Sequence, residues 1–110
     1  MNKLYISHEE ATIESFKQDP DYAAEYLNAV LEDGDQEELM LALRRIASAY
    51  GMKDVAESAN LNPKTLYRTL SSAGNPELRS FQAILGAMGM RLAVTSLTRE
   101  HHQKTSLDLN

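Results

Sequence analysis

MKDVAESANLNPKTLYRTL, residues 52–70, carries the pattern that most narrows the fold of this chain. It divides into two short helical patterns, 52–59 and 63–70, separated by a break at 60–62. Two short helices joined by a tight turn are the sequence image of a helix-turn-helix, and each position has a physical requirement. Val55 supplies an apolar contact to the core. Ala56 must be small, because the two helices cross closest there. Asn60 sits where the chain turns sharply; glycine is usual at such a place, and Asn is the best-tolerated alternative in the left-handed region. Leu61 plugs the core beneath the turn. Asn62-Pro63 opens the second helix as cap and first helical residue. Leu66 and Leu70, at i and i+4, anchor that helix inward, which leaves Lys64, Thr65, Tyr67 and Arg68 outward or along the flanks.

Those outward side chains suit duplex DNA. In this motif the N-terminal part of the second helix meets base edges in the major groove. Arg grips guanine bidentately, and Thr touches a thymine methyl or a phosphate. Lys64 serves phosphate as well as base, and the Tyr67 hydroxyl can bond phosphate. Lys53, on the first helix, completes the expected DNA-binding set. An ordinary helical hairpin with solvated Lys and Arg would share the pattern, and the local charge supports DNA only weakly, since Asp54 and Glu57 stand among the cations.

On either side of this segment, helical spacing dominates. Asp19-Pro20 reads as cap and first residue of a helix carrying Ala23, Tyr26, Leu27, Val30 and Leu31 on its apolar face. Gly34 is expected to stop that helix in the left-handed conformation. Asp35 with Glu38 three residues on forms a capping box for a second helix, whose buried stripe is Leu39, Leu43, Ile46, Ala47 and Tyr50 and which ends at Gly51. Gly74-Asn75-Pro76 marks a turn into a last helix with Leu78, Phe81, Ile84, Leu85 and Met88 on one face, closed by Gly89. Met90, Leu92 and Val94 then alternate with Arg91, Ala93 and Thr95, which is strand spacing. A lone strand cannot satisfy its own edges, so it must pair within the domain or across a dimer. The expected fold is all-α, about five helices with a lambda-repressor-like helix-turn-helix, plus this one short C-terminal strand. Residues 1–18 read as an N-terminal segment that permits a short helix, 19–97 as the helix-turn-helix domain, and 98–110 as a polar tail.

The 110 residues fit one domain, and 43% apolar content is enough for a core. The absence of Cys excludes a disulfide scaffold, a thiol nucleophile and thiolate metal sites. No apolar run approaches the ~20 residues that span a bilayer, and residues 1–5 lack a secretory signal. The expectation is a cytoplasmic protein without membrane contact. Five Gly, three Pro, two Phe, five Tyr and no Trp argue against a β-sandwich or barrel.

Charge is more informative by segment than in total. The chain carries −5, but residues 1–39 hold eleven acids against two bases, while residues 40–110 hold nine bases against five acids. Such asymmetry points to two faces with different partners, phosphates for the basic part and a basic protein for the acidic part. Acids crowding helix N-termini account for some of it. The constellations of catalysis are missing. Ser48, Ser58 and Ser71 have no positioned His, Glu9-Glu10 and Glu37-Glu38 are adjacent pairs that do not share a face, and there is no phosphate-binding glycine loop. His101-His102 lacks the i, i+4 spacing of a helical metal pair, and His8 stands alone. Met40, Met52, Met88 and Met90 read as core filler. No catalytic residue, metal ligand or cofactor is expected, and an enzyme is disfavoured.

The runs DPDYAAEYLNAVLEDGD (19–35), RRIASAYGMKDVA (44–56), LYRTLS (66–71), GNPEL (74–78) and LGAMGMRL (85–92) resemble one family, the addiction-module antidotes, HigA-like antitoxins with an Xre/lambda-repressor-type helix-turn-helix. The resemblance covers roughly residues 19–95. It implies an antitoxin encoded beside a small RelE/ParE-like (HigB-type) toxin, a ribosome-dependent ribonuclease, which it binds and silences while repressing its own promoter. The family's recognition-helix positions fall on Asn62, Pro63, Lys64, Thr65, Tyr67 and Arg68. Members are commonly homodimers, for which the strand at 90–97 is a pairing element. One helix-turn-helix buries only ~600–1,000 Å² on DNA, so a dimer with recognition helices about 34 Å apart is expected. Screening over a Debye length of ~8 Å separates the two charge faces. The acidic third is then free for the basic toxin, and exchanging Glu37 and Glu38 for Lys should slow its association. Two other readings share these features: a stand-alone helix-turn-helix transcriptional regulator without a toxin, and a protein-binding inhibitor that has lost DNA contact.

Overall fold

The structure, a computed structural model, describes residues 14–16 and 18–97. Five helices come in order: α1 (Pro20–Asp33), α2 (Gln36–Tyr50), α3 (Met52–Ser58), α4 (Pro63–Thr69) and α5 (Leu78–Ala87). The described residues are otherwise loops and a helical turn at 14–16, and they contain no strand. The fold is all-α.

The helix starts are set by their caps. Asp19 accepts a hydrogen bond from the Tyr22 N–H at 3.3 Å, with Pro20 in the first turn, where no donor is lost. At α2 the capping box is complete: the Asp35 carboxylate accepts from Glu38 N–H, and the Glu38 carboxylate accepts from Asp35 N–H, both at 2.9 Å. Asn62 Oδ1 accepts from the Thr65 N–H at 3.2 Å at the start of α4.

Helix ends divide into two kinds. At α3, Asn60 takes φ 62°, its N–H bonds the Glu57 carbonyl at 3.1 Å, and the Leu61 N–H bonds the Ala56 carbonyl at 2.8 Å. That is a Schellman motif with Asn where glycine is usual. The end of α5 repeats it with Gly89 at φ 78°, Met90 N–H bonding Leu85 carbonyl at 2.9 Å. Gly34 departs from expectation. It is extended, with φ −90° and ψ 167°. Asp35 must begin capping α2 at once, so the chain leaves α1 straight. Glycine is needed here for space: a Cβ would come within 2.8 Å of the Val30 carbonyl oxygen and 2.9 Å of Glu38 Oε1.

α1 packs on α2, α2 on α3, and α3 on both α4 and α5. The core is built from Leu27, Met40, Leu43, Ile46, Val55, Leu66, Leu70, Ile84, Leu85 and Met88, all buried. Met52 and Met90 are half-buried against it, in line with their reading as filler. Phe16, ahead of α1, is fully buried; its ring stacks with Tyr22 at a centroid distance of 5.4 Å and meets Tyr26 tilted at 4.9 Å. Leu31 and Leu78 sit on the edges of their apolar stripes and are exposed.

Residues 90–96 do not form the expected strand in the isolated chain. Met90 and Leu92 are half-buried against the core, whereas Val94 is 97% exposed. The alternation therefore holds for two positions and then runs out of core. A single extended segment has no neighbour to complete a ladder.

Candidate nucleic-acid interface

α3 and α4 are seven residues each, and the four residues between them make the turn centred on Asn60. Ala56 is fully buried at the crossing, and Leu61 is half-buried under the turn. Leu66 and Leu70 are buried and hold α4 by its inner side. With those two positions inside, helical spacing groups Lys64, Tyr67 and Arg68 on one outer ridge, at i, i+3 and i+4. Lys64 and Arg68 are exposed, as are Asn62 and Pro63, and Thr65 is half-buried. Lys53 is exposed on α3, where it lines a shallow cleft of about 200 Å³ with Glu57, Leu61 and Pro63. Of the seven residues singled out in the sequence, Lys53 and Pro63 share that cleft, and the other five are Asn62 at the cap and Lys64, Thr65, Tyr67 and Arg68 on α4.

One residue of this surface was not legible in the sequence. The guanidinium of Arg44, on α2, lies over the Tyr67 ring at 5.3 Å from its centroid. This is a cation–π contact between residues 23 positions apart, and nothing in the spacing of either announces it. Among the described residues, Arg44, Lys53, Lys64 and Arg68 form no ion pair with a carboxylate. The turn behind α4 is tied down: Ser71 Oγ donates to the Arg68 carbonyl at 2.9 Å, and Gln36 Nε2 at the start of α2 donates to the Gly74 carbonyl at 2.9 Å.

Another stretch of surface, on α1 and the start of α2, is acidic. From residue 18 to residue 43 the chain has no Lys or Arg, and Asp19, Asp21, Glu25, Glu32, Asp33, Asp35, Glu37 and Glu38 are all exposed. Arg45, half-buried under α1, donates to the Tyr26 hydroxyl at 3.1 Å. A groove of about 620 Å³ runs between α1 and residues 89–95 and is lined by Leu27, Leu31, Glu32, Leu85 and Leu92 among others. Among the described residues no group of His, Asp and Glu could hold a metal, and no helix is long and apolar enough to cross a membrane. His8, His101 and His102 lie outside the described residues.

Comparison with known proteins gives two matches. A family model described as "Probable addiction module antidote protein" matches residues 8–96. A Haemophilus influenzae protein, named only "Uncharacterized protein", is 32% identical over 69 residues, 63% of this chain and 71% of that protein. No solved structure matches.

Proposed function

This chain belongs to the family of probable addiction-module antidote proteins, which implies a toxin as its partner, and on that basis we propose an antitoxin with two activities. It binds and silences a RelE/ParE-like (HigB-type) toxin, and it represses its own operon by sequence-specific binding of duplex DNA as a homodimer. It acts in the cytoplasm, without cofactor or catalysis. In this reading residues 19–97 form an Xre-type, HigA-like domain, and α3–turn–α4 is its helix-turn-helix.

The observation that carries the DNA half is the outer ridge of α4. Lys64 and Arg68 are exposed and carry no ion pair with another described residue, on a helix locked from behind by Leu66 and Leu70. Arg68 and Thr65 are the base-reading candidates, and Lys64, Tyr67 and Lys53 hold phosphate. Asn62 and Pro63 set the angle at which α4 enters the groove. The toxin half is supported by the acidic surface on α1 and the start of α2, which would steer a basic protein. The dimer is supported by the groove beside residues 89–95, lined by the exposed Leu31, and by Val94, which is exposed in the same segment outside that groove.

The test is fluorescence anisotropy of the purified protein on its own upstream DNA and on a scrambled duplex, at several salt concentrations. Tight, sequence-selective binding is expected. Arg68→Ala should lose about 1–3 kcal/mol and the discrimination at one base position, whereas Lys64→Ala should weaken both duplexes alike and reduce the salt slope by about one. Equal, weak binding of both DNAs, unchanged when the neighbouring gene's product is added, would remove DNA binding from this reading.

A further inference from the structure

We propose that Arg44 and Tyr67 together form a phosphate-binding site for the DNA backbone, on the flank of the α4 ridge. The proposal rests on the DNA-binding reading above and adds to it a residue from outside the helix pair. Arg44 belongs to α2 and is half-buried, yet no carboxylate of the described residues neutralises it. A partly desolvated guanidinium without a counter-charge is costly, and an anion arriving from solvent relieves that cost. The Tyr67 ring, 47% exposed, lies beneath the guanidinium at 5.3 Å. The cation–π contact keeps the guanidinium beside the ring, and its N–H donors make no hydrogen bond among the described residues, which leaves them for a phosphate. Tyr67 shares the outer ridge of α4 with Lys64 and Arg68, so the site is continuous with the proposed reading surface.

Arg44 also bears on orientation. Lys64 and Arg68 sit on α4 and Lys53 on α3, so these contacts hold the DNA from the helix pair alone. Arg44 reaches the same phosphate chain from α2. A contact from outside the helix pair fixes the angle of docking as well as its position, as backbone contacts generally do. Tyr67 is then a positioning residue for Arg44 as well as a phosphate donor through its hydroxyl.

The experiment measures affinity for the upstream duplex against salt concentration for the wild type, Arg44→Gln, Arg44→Lys, Tyr67→Leu and Lys64→Ala, with thermal melts of each. Arg44→Gln keeps most of the side-chain stem and removes the charge. It should lower the slope of log K against log salt by about 0.9, so that the wild type's advantage shrinks about three-fold between 50 and 200 mM salt. Arg44→Lys should retain the wild-type slope. Tyr67→Leu, which removes the ring but no charge, should weaken binding without changing the slope as far as Arg44→Gln does. An Arg44→Gln slope equal to wild type, with Lys64→Ala reduced, overturns this site and leaves the DNA-binding reading standing. A slope that falls only in proportion to a lowered melting temperature in all three Arg44 and Tyr67 variants makes the pair structural and also overturns it. No salt-dependent binding by the wild type overturns both.

Discussion

Asn60 stands at φ 62°, a conformation that costs most L-residues roughly 1–2 kcal/mol. Asn tolerates it because its short polar side chain can bond locally, and here the two Schellman hydrogen bonds reward it. Asn60→Val should therefore lower unfolding stability by about 1–2 kcal/mol, and Asn60→Gly should equal or exceed wild type. Urea midpoints of the three proteins check this; equal midpoints for Val and Asn would show that the turn is not under torsional constraint. This residue was legible in the sequence, because few residue types fit a sharp turn between two short helices. Arg44 was not. Its partner lies on another helix, and the contact depends on how α2 and α4 pack rather than on either's local pattern.

At the scale of the element, caps were the most readable feature and helix exits the least. Asp19, Asp35 with Glu38, and Asn62 all make the bonds their spacing predicts, since a cap depends only on residues three apart. The exit at Gly34 depends on the next helix, and the immediate start of α2 overrides the left-handed stop. The segment 90–96 has strand spacing without strand partners, which a sequence pattern cannot supply. The complete capping box also changes how the acidic surface must be probed. Asp35→Ala should cost about 1 kcal/mol of stability by removing the cap. Glu38→Lys would lose its own half of the box together with the charge, confounding any effect on a partner. Glu37, exposed and outside the box, is the clean probe. Glu37→Lys should cost about 0.3–1 kcal/mol through its place in the first turn of α2, leaving the fold intact, and should slow association with a basic toxin, more at low salt than at high. Stopped-flow association rates at two salt concentrations check it, and an unchanged rate would move the toxin site off this surface.

At the scale of the whole molecule, charge and assembly bear on each other. Lys64 and Arg68 on α4 and Arg44 over Tyr67 place three cations together, while α1 and the start of α2 carry only acids. A single copy would present one short recognition helix, and specific binding by one such module is weak for its small area. A second copy doubles the contacts, provided the two recognition helices are spaced about one turn of DNA apart. Residues 90–96 are the candidate link. Centred on Ala93, an antiparallel pair would set Leu92 against Val94 on one face and Arg91 against Thr95 on the other, joining apolar with apolar and keeping the two Arg91 charges apart. Val94, 97% exposed in the single chain, has no folding role for a charge to disturb. Val94→Asp should thus leave the monomer's fold intact and place two carboxylates in the paired face. Light scattering after size exclusion is expected to give twice 12.3 kDa for the wild type and 12.3 kDa for the variant. DNA affinity should fall with the mass, while the Lys64-dependent part of the salt slope per copy persists. A Val94→Asp protein that stays dimeric would place the two-fold axis elsewhere, with the exposed edge of α1 around Leu31 the next surface to change.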